Sequence, residues 1–136
     1  MDESDARARF ARARVARLAT VRPDGAPHLV PVILVLEGGT AWLAVDEKPK
    51  RHRRLQRLEN VRAEPRVSLL ADHYDDEWER LWWVRADGLA RIVETGPELR
   101  RAIGLLLERY PQERERPPQG PAIAVEITRW SWWPGG

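Results

Sequence analysis

Two turn signals bracket the most apolar stretch of this chain, and between them they commit it to sheet. Arg22-Pro23-Asp24-Gly25 places proline at the second position of a turn and glycine at the last, and Gly38-Gly39 supplies another reversal. The run between them, His28 to Leu36 (HLVPVILVL), is apolar nearly throughout. Such a run predicts a strand covered on both faces, with Pro31 marking an edge or bulge because it cannot donate to a ladder. Leu18 to Val21 precedes the first turn as a strand, and the glycine pair leads into another from Ala41 to Val45.

That third strand ends abruptly in positive charge. Lys48, Lys50, Arg51, Arg53 and Arg54 fall within seven positions of AWLAVDEKPKRHRR. Pro49 cannot continue a sheet and presets its own φ, so the residues after it are free to start a helix. Cationic side chains and the free N–H groups of a helix start both attract phosphate. A solvated basic helix end is the bland alternative.

The remaining pattern alternates strands with helices. Residues 4–18 predict a surface helix capped by Ser4, with Asp5 and Arg9 as an i,i+4 pair and Phe10 and Leu18 as its large anchors. A basic nucleic-acid-binding arm is a second reading of that segment. After the basic cluster, Leu55 and Leu58 predict a short helix ending near Asn60 that lies over a barrel mouth. Arg66 to Asp72 reads as a strand, His73 to Glu77 as a polar turn, and Leu81 to Val93 as a long strand in which Gly88 permits a bulge. Leu99, Ile103, Leu106, Leu107 and Tyr110 lie on one face of a helix over 97–110, which Pro111 stops. A last strand runs from Pro121 to Thr128. Trp130, Trp132 and Trp133 follow it and are expected to be buried, plausibly against a second subunit. Short hairpins and this order favour a small antiparallel barrel with two or three helices.

Composition narrows the chemistry. A chain of 136 residues with no internal repeat is read as one domain, 1–136. There is no cysteine, which excludes disulfides, thiolate metal sites and a cysteine nucleophile, and His28, His52 and His73 are too scattered for a metal motif. The N-terminal stretch carries acids and lacks an apolar leader, and no apolar window spans a bilayer, so a cytoplasmic protein is expected. Both lysines lie in the basic cluster, while every other side-chain cation but histidine is arginine. Arginine favours planar two-pronged contact with phosphate, yet a GC-rich genome gives the same bias without function.

The blocks RLATVRPDGAPHLVPV, AVDEKPKRHRRLQRLENV, PRVSLLADHYDDEW and LWWVRADGLARIV, in that order, resemble the pyridoxamine 5′-phosphate oxidase-like split β-barrel superfamily. Within it they are similar to the actinobacterial branch assigned to the deazaflavin coenzyme F420. The resemblance covers about Leu18 to Trp133. It implies an α+β fold, mainly β with helices: a split β-barrel of the FMN-binding kind with six or so antiparallel strands and two to three helices. It also implies a homodimer with two equivalent cofactor sites at the subunit interface.

In such proteins the ring lies against backbone of the second and third strands, here Pro31, Val32 and Ile33 and then Val45 and Asp46. The anionic tail runs to basic residues matching Lys48, Lys50, Arg51 and Arg54, and Trp78 and Trp82 fall where relatives bring side chains near the ring. The stretch EKPKRHRR has no hydroxyl residue of the sort FMN users place among the basic ones, which favours F420 with FMN as the alternative. The expected activity is hydride transfer between the deazaflavin and a small conjugated organic substrate. An FMN-dependent oxidase or reductase is the first rival, and a non-enzymatic cofactor carrier or a heme or nucleic-acid binder is the second.

A cofactor that carries its own redox chemistry asks the protein only for a slot, a charge clamp and access. Accordingly no acid–base dyad stands out: Glu94 and Glu126 lie in strands with no evident partner, and Ser68 has no G-x-S-x-G setting. His28 is a candidate proton donor or a structural histidine, and His73 and Tyr74 with Asp72 are candidates for a substrate mouth. As neighbours on a strand, Trp82 and Trp83 face opposite sides, one expected toward the cofactor and the other toward the partner subunit.

Overall fold

In the computed structural model, which describes residues 1–44 and 51–135 and side chains for all of these except 51–55, a helix precedes a continuous run of strands. The elements are α1 (Glu3–Arg12), β1 (Ala16–Val21), β2 (Pro27–Val32), β3 (Val35–Glu37), β4 (Thr40–Ala44), α2 (Arg51–Ala63), β5 (Arg66–His73), β6 (Trp82–Val93), α3 (Pro97–Arg109) and β7 (Ala122–Trp133). All ladders are antiparallel, and the strands form a seven-stranded sheet in the order β2-β1-β5-β6-β7-β4-β3.

That order has a geometric consequence. β2 and β3 are the two edges of the sheet, yet only Ile33 and Leu34 join them. Laid flat, seven strands span about 29 Å from first axis to last, whereas the Cα atoms of Val32 and Val35 are at most about 11 Å apart. The sheet must therefore curl until its edges approach, which is a split barrel. Leu18, Leu69, Val84, Ala86, Ile123 and Val125 fill its interior, with Phe10 of α1 packed among them. A smaller cluster of Trp42, Val93, Leu99, Ala102, Ala122 and Ala124 seats α3 on the outside of the sheet.

Two features make the curl possible. At Gly88 the β6–β7 register shifts, and a Cβ there would overlap the Glu126 carbonyl oxygen and stand 2.9 Å from Val125 Cγ1, so only glycine lets the strands approach this closely. At the seam, Tyr110 just beyond α3 is buried, and its hydroxyl shares one proton between the carbonyls of Arg14 (3.0 Å) and Leu34 (3.1 Å). Arg109 Nη2 donates to the Ala13 carbonyl at 2.7 Å, and Arg14 and Arg109 both lie over the Tyr110 ring. One aromatic side chain thus ties the α1–β1 link and the β2–β3 link to the end of α3.

Several expectations need correcting. The helix expected over residues 4–18 stops at Arg12, is capped by Asp2 rather than Ser4, and leaves Leu18 to the core face of β1. Asp5 completes the cap by accepting from Asp2 N, Arg9 lies over the Trp82 ring, and the i,i+4 pair is Glu3 with Arg7. Propensity favours helix through this alanine–arginine run, but Ala16, Leu18 and Thr20 are buried at alternate positions and pair with β2 and β5. The run His28 to Leu36 is two strands, which raises the count to seven, and it is not covered on both faces, since Leu29 is 67% exposed.

Pro31 does lie on an edge strand. The last strand continues to Trp133, and two of its tryptophans pack within the chain: Trp130 meets Phe10 edge-on at 5.3 Å and Trp132 Nε1 donates to the Met1 carbonyl. Glu94, just past the end of β6, pairs with Arg62, and Glu126 of β7 accepts from Thr40 Oγ1 and lies 3.7 Å from Arg91, so both glutamates have partners. Among the described residues no helix is long and apolar enough to cross a membrane.

Removing the Tyr110 hydroxyl strands two buried carbonyls while keeping the ring. Tyr110→Phe is expected to lose about 1–3 kcal/mol, read as a lower denaturant midpoint at unchanged slope; an unchanged midpoint would show that the seam does not depend on this bond.

Candidate functional site

Helix α2 lies across the start of the barrel and is held there by a polar chain. Asn60, fully buried, donates from Nδ2 to Thr20 Oγ1 (3.0 Å) and accepts from Gln56 Nε2 (2.7 Å). Thr20 stands opposite His28 in the β1–β2 ladder, so this side of α2 faces both strands. Leu58 and Val61 anchor the helix in the core, which leaves its polar side chains no freedom to swing away.

The next residue round the helix breaks the usual rule for buried polar groups. Arg57 has a buried Nε without a hydrogen-bond partner, and among the described residues no carboxylate pairs with it. His28 Nδ1 is likewise buried and unpartnered. Burial, and after it the charges of Arg22 and Arg57, pull the His28 imidazole below its ordinary value of 6.5, so it is held neutral. Desolvation also pulls the Arg57 guanidinium down, though an arginine so shifted stays charged. A guanidinium with an unpartnered Nε and no carboxylate beside it among the described residues is complementary to an anion, and the neighbouring neutral His28 donates to the same phosphate or carboxylate oxygen in its Nδ1–H tautomer.

A second surface lies on the outward face of the sheet. Arg17, Ala19, Leu29, Ser68, Leu70, Trp83 and Arg85 border a groove of about 730 Å³, and it is lined as well by Trp82 and by Asp72, His73 and Tyr74, the residues expected at a substrate mouth. Along its floor Ser68 Oγ donates to Asp87 Oδ1 at 2.6 Å, and Arg85 Nε stands 3.3 Å from the same oxygen. Neither His28 nor Arg57 borders this groove. The two features therefore sit on opposite faces of the β1–β2 ladder.

The sequence-derived site residues divide accordingly. Val45, Asp46, Lys48 and Lys50, and the side chains of Arg51 and Arg54, lie outside the described residues. Val32 is buried with its side chain in the core, Ile33 is half-buried at the seam, and Pro31 is exposed on β2, whose outer edge pairs with no strand among the described residues. Trp82 packs against the core, stacks on His73 and lies under Arg9, whereas Trp83 faces outward beside Trp78. Trp82 lines the 730 Å³ groove, whereas Trp78 lines a smaller neighbouring cavity with Trp83. Arg57 was not singled out by sequence reasoning. The available signal was Asn60, a polar residue one position from the buried Val61 and three from Arg57.

The family model for pyridoxamine 5′-phosphate oxidase matches residues 3–134, and the chain belongs to that family. Among solved structures, the conserved hypothetical protein Rv2991 from Mycobacterium tuberculosis superposes with a TM-score of 0.75 at 29% identity, over 98% of this chain and 84% of that one. A FAD-binding protein from Mesorhizobium loti gives 0.72 at 21% identity, over 97% and 94%. HutZ, the heme storage protein from Vibrio cholerae, gives 0.73 at 16% identity, over 96% and 92%. No curated protein matches the sequence.

A neutral His28 beside an unneutralised Arg57 has a pH signature. Because its folded value lies below the unfolded one, His28 contributes stability that is complete above the ordinary 6.5 and is lost as pH falls through the folded value. NMR titration of the imidazole in anion-free buffer is expected to give a midpoint below 6.5, and inorganic phosphate is expected to raise it. A midpoint at or above 6.5 without phosphate would remove the proposed charge environment.

Proposed function

We propose that this protein is an F420-dependent oxidoreductase that moves hydride between the deazaflavin and a small conjugated organic molecule. The observation that carries the reading is the orphaned pair of His28 Nδ1 and Arg57 Nε at the mouth covered by α2. Such a pair is costly to leave empty, and the anionic tail of a cofactor would offset that cost. Lys48, Lys50, Arg51 and Arg54 add positive charge within nine positions of Arg57 in the sequence, and a long acidic tail asks for several cations. When bound, the deazaflavin supplies the hydride.

The chain's own residues have simpler tasks. Arg57 holds an anionic oxygen, and neutral His28 offers it a second polar contact without adding charge. Pro31 and Val32 at the β2 edge, with Ile33 just beyond it, present backbone to a flat ring, Val45 and Asp46 are its further expected neighbours, and Trp78 and Trp82 are its candidate aromatic neighbours. The protein acts as a homodimer in this reading. The outward sheet face supports it, because Val21, Leu29 and Leu89 are exposed there as large apolar side chains.

A flavin reading is the rival, favoured by the Mesorhizobium loti relative that is FAD-binding. Against FMN stands the lack of any serine or threonine from Glu47 to Arg54. Parallel calorimetric titration of the apoprotein with F420 and FMN separates the two. The expected result is tighter binding of F420 by about tenfold or more, the equivalent of one additional charge-assisted contact. Equal or tighter binding of FMN would overturn the deazaflavin assignment.

A further inference from the structure

At the start of β6 the chain gathers an aromatic cluster that includes Tyr74 and Trp78, already named as candidates for the substrate mouth and the ring slot. Tyr74, Trp78, Leu81, Trp83 and Trp133 line an open surface pocket of about 280 Å³. Trp83 and Trp133 stand opposite each other in the β6–β7 ladder and form its floor. Tyr74 and Trp78 come from the connection between β5 and β6, and they are 69% and 72% exposed. Large aromatic side chains held this far into water lose the benefit of burial, so the cluster is complementary to something that covers it.

Charge says what kind of ligand fits. The segment from Asp72 to Arg80, which carries Tyr74 and Trp78, holds Asp72, Asp75, Asp76, Glu77 and Glu79 against Arg80 as its one fixed cation, in a chain whose formal net charge is +2. Internal partners account for part of this: Asp75 Oδ1 accepts the Glu77 N–H, Glu77 lies 3.6 Å from Arg80, and His73 lies 3.7 Å from Asp75. Among the described residues Asp72, Asp76 and Glu79 have no ion pair, and all three are exposed. The nearest cation on the sheet side, Arg85, sits 6.0 Å over the Trp83 ring and 3.3 Å from Asp87, so its charge is locally balanced.

We propose that this pocket is a binding site for a flat organic cation, such as an N-alkylated heteroaromatic ring. The ring faces attract positive charge through their quadrupoles, and the unpaired carboxylates around them raise the local concentration of cations. Uncharged aromatics of the same shape gain the stacking but not the electrostatic part. Arg85 over Trp83 is the same interaction already made within the chain. The site shares Trp78 with the ring slot of the proposed function, but no residue of the His28–Arg57 pair lines it, so cation binding here and anion binding there are tested separately.

Tryptophan fluorescence of the full chain, titrated with N-methylquinolinium and in parallel with the uncharged isostere 2-methylnaphthalene, tests this directly. The expected result is saturable quenching, with the cation binding about fivefold or more tighter than the isostere. Affinity for the cation is expected to fall about threefold or more in Asp72→Asn/Asp76→Asn and in raised salt. It should be lost in Trp78→Ala, whose exposed position leaves the circular dichroism spectrum unchanged. Equal binding of the two probes, or no effect of removing the carboxylates, would overturn the proposal. So would the absence of binding together with Trp78→Ala dissociating a dimer, which would assign the pocket to a second copy of the chain.

Discussion

Two residues between the outermost strands of a seven-stranded sheet are the constraint on which the rest of this structure depends. Ile33 and Leu34 cannot bridge an open sheet, so the strands curl and the edges β2 and β3 are held side by side. Tyr110 then fixes that seam by serving carbonyls from two links in the chain with one hydroxyl, under two arginines that cover its ring. Gly88 admits the sharp approach of β6 to β7 that a curled sheet needs. Closure of the barrel, rather than any single element, gives β2 an unpaired edge next to the start of β3.

The candidate site follows from that closure. β2 carries His28 on the face toward α2, and α2 is fixed to β1 by the chain Gln56, Asn60 and Thr20. The rigidity matters because Arg57 is kept where water is scarce and where no counter-ion among the described residues meets it. A surface arginine would cost nothing to hold. A desolvated one lowers stability until an anion arrives, a trade common where binding rather than folding sets the requirement. Membership of the pyridoxamine 5′-phosphate oxidase family agrees with a scaffold that positions a ready-made redox group and contributes little covalent chemistry of its own.

Much of the fold was legible in the residues. Gly38-Gly39, Gly88, Pro111 and the apolar stripe from Leu99 to Tyr110 each mark a feature through a local steric rule, and each appears where that rule puts it. The misreadings came where tertiary contacts outweigh local preference. Ala13 ends α1 without glycine or proline because Arg109, from the other end of the chain, takes its carbonyl. HLVPVILVL breaks at Ile33 because the barrel turns there, not because any residue forbids a strand. The basic cluster drew attention by density of charge, whereas burial without a partner distinguishes Arg57 from Arg85, which lies beside Asp87, and from Arg109, which donates to the Ala13 carbonyl. Burial is a property of the packed helix and is only hinted at by Asn60 three positions on.

If an anion is what Arg57 awaits, charge removal there should separate binding from folding. Calorimetric titration of Arg57→Gln with F420, alongside its thermal midpoint, measures both. The account predicts affinity weaker by about tenfold to a hundredfold, or ~1.5–3 kcal/mol, with the midpoint unchanged or raised because a desolvated charge is gone. Wild-type affinity in that variant would contradict the central claim, as would a fall in its midpoint large enough to account for the lost binding.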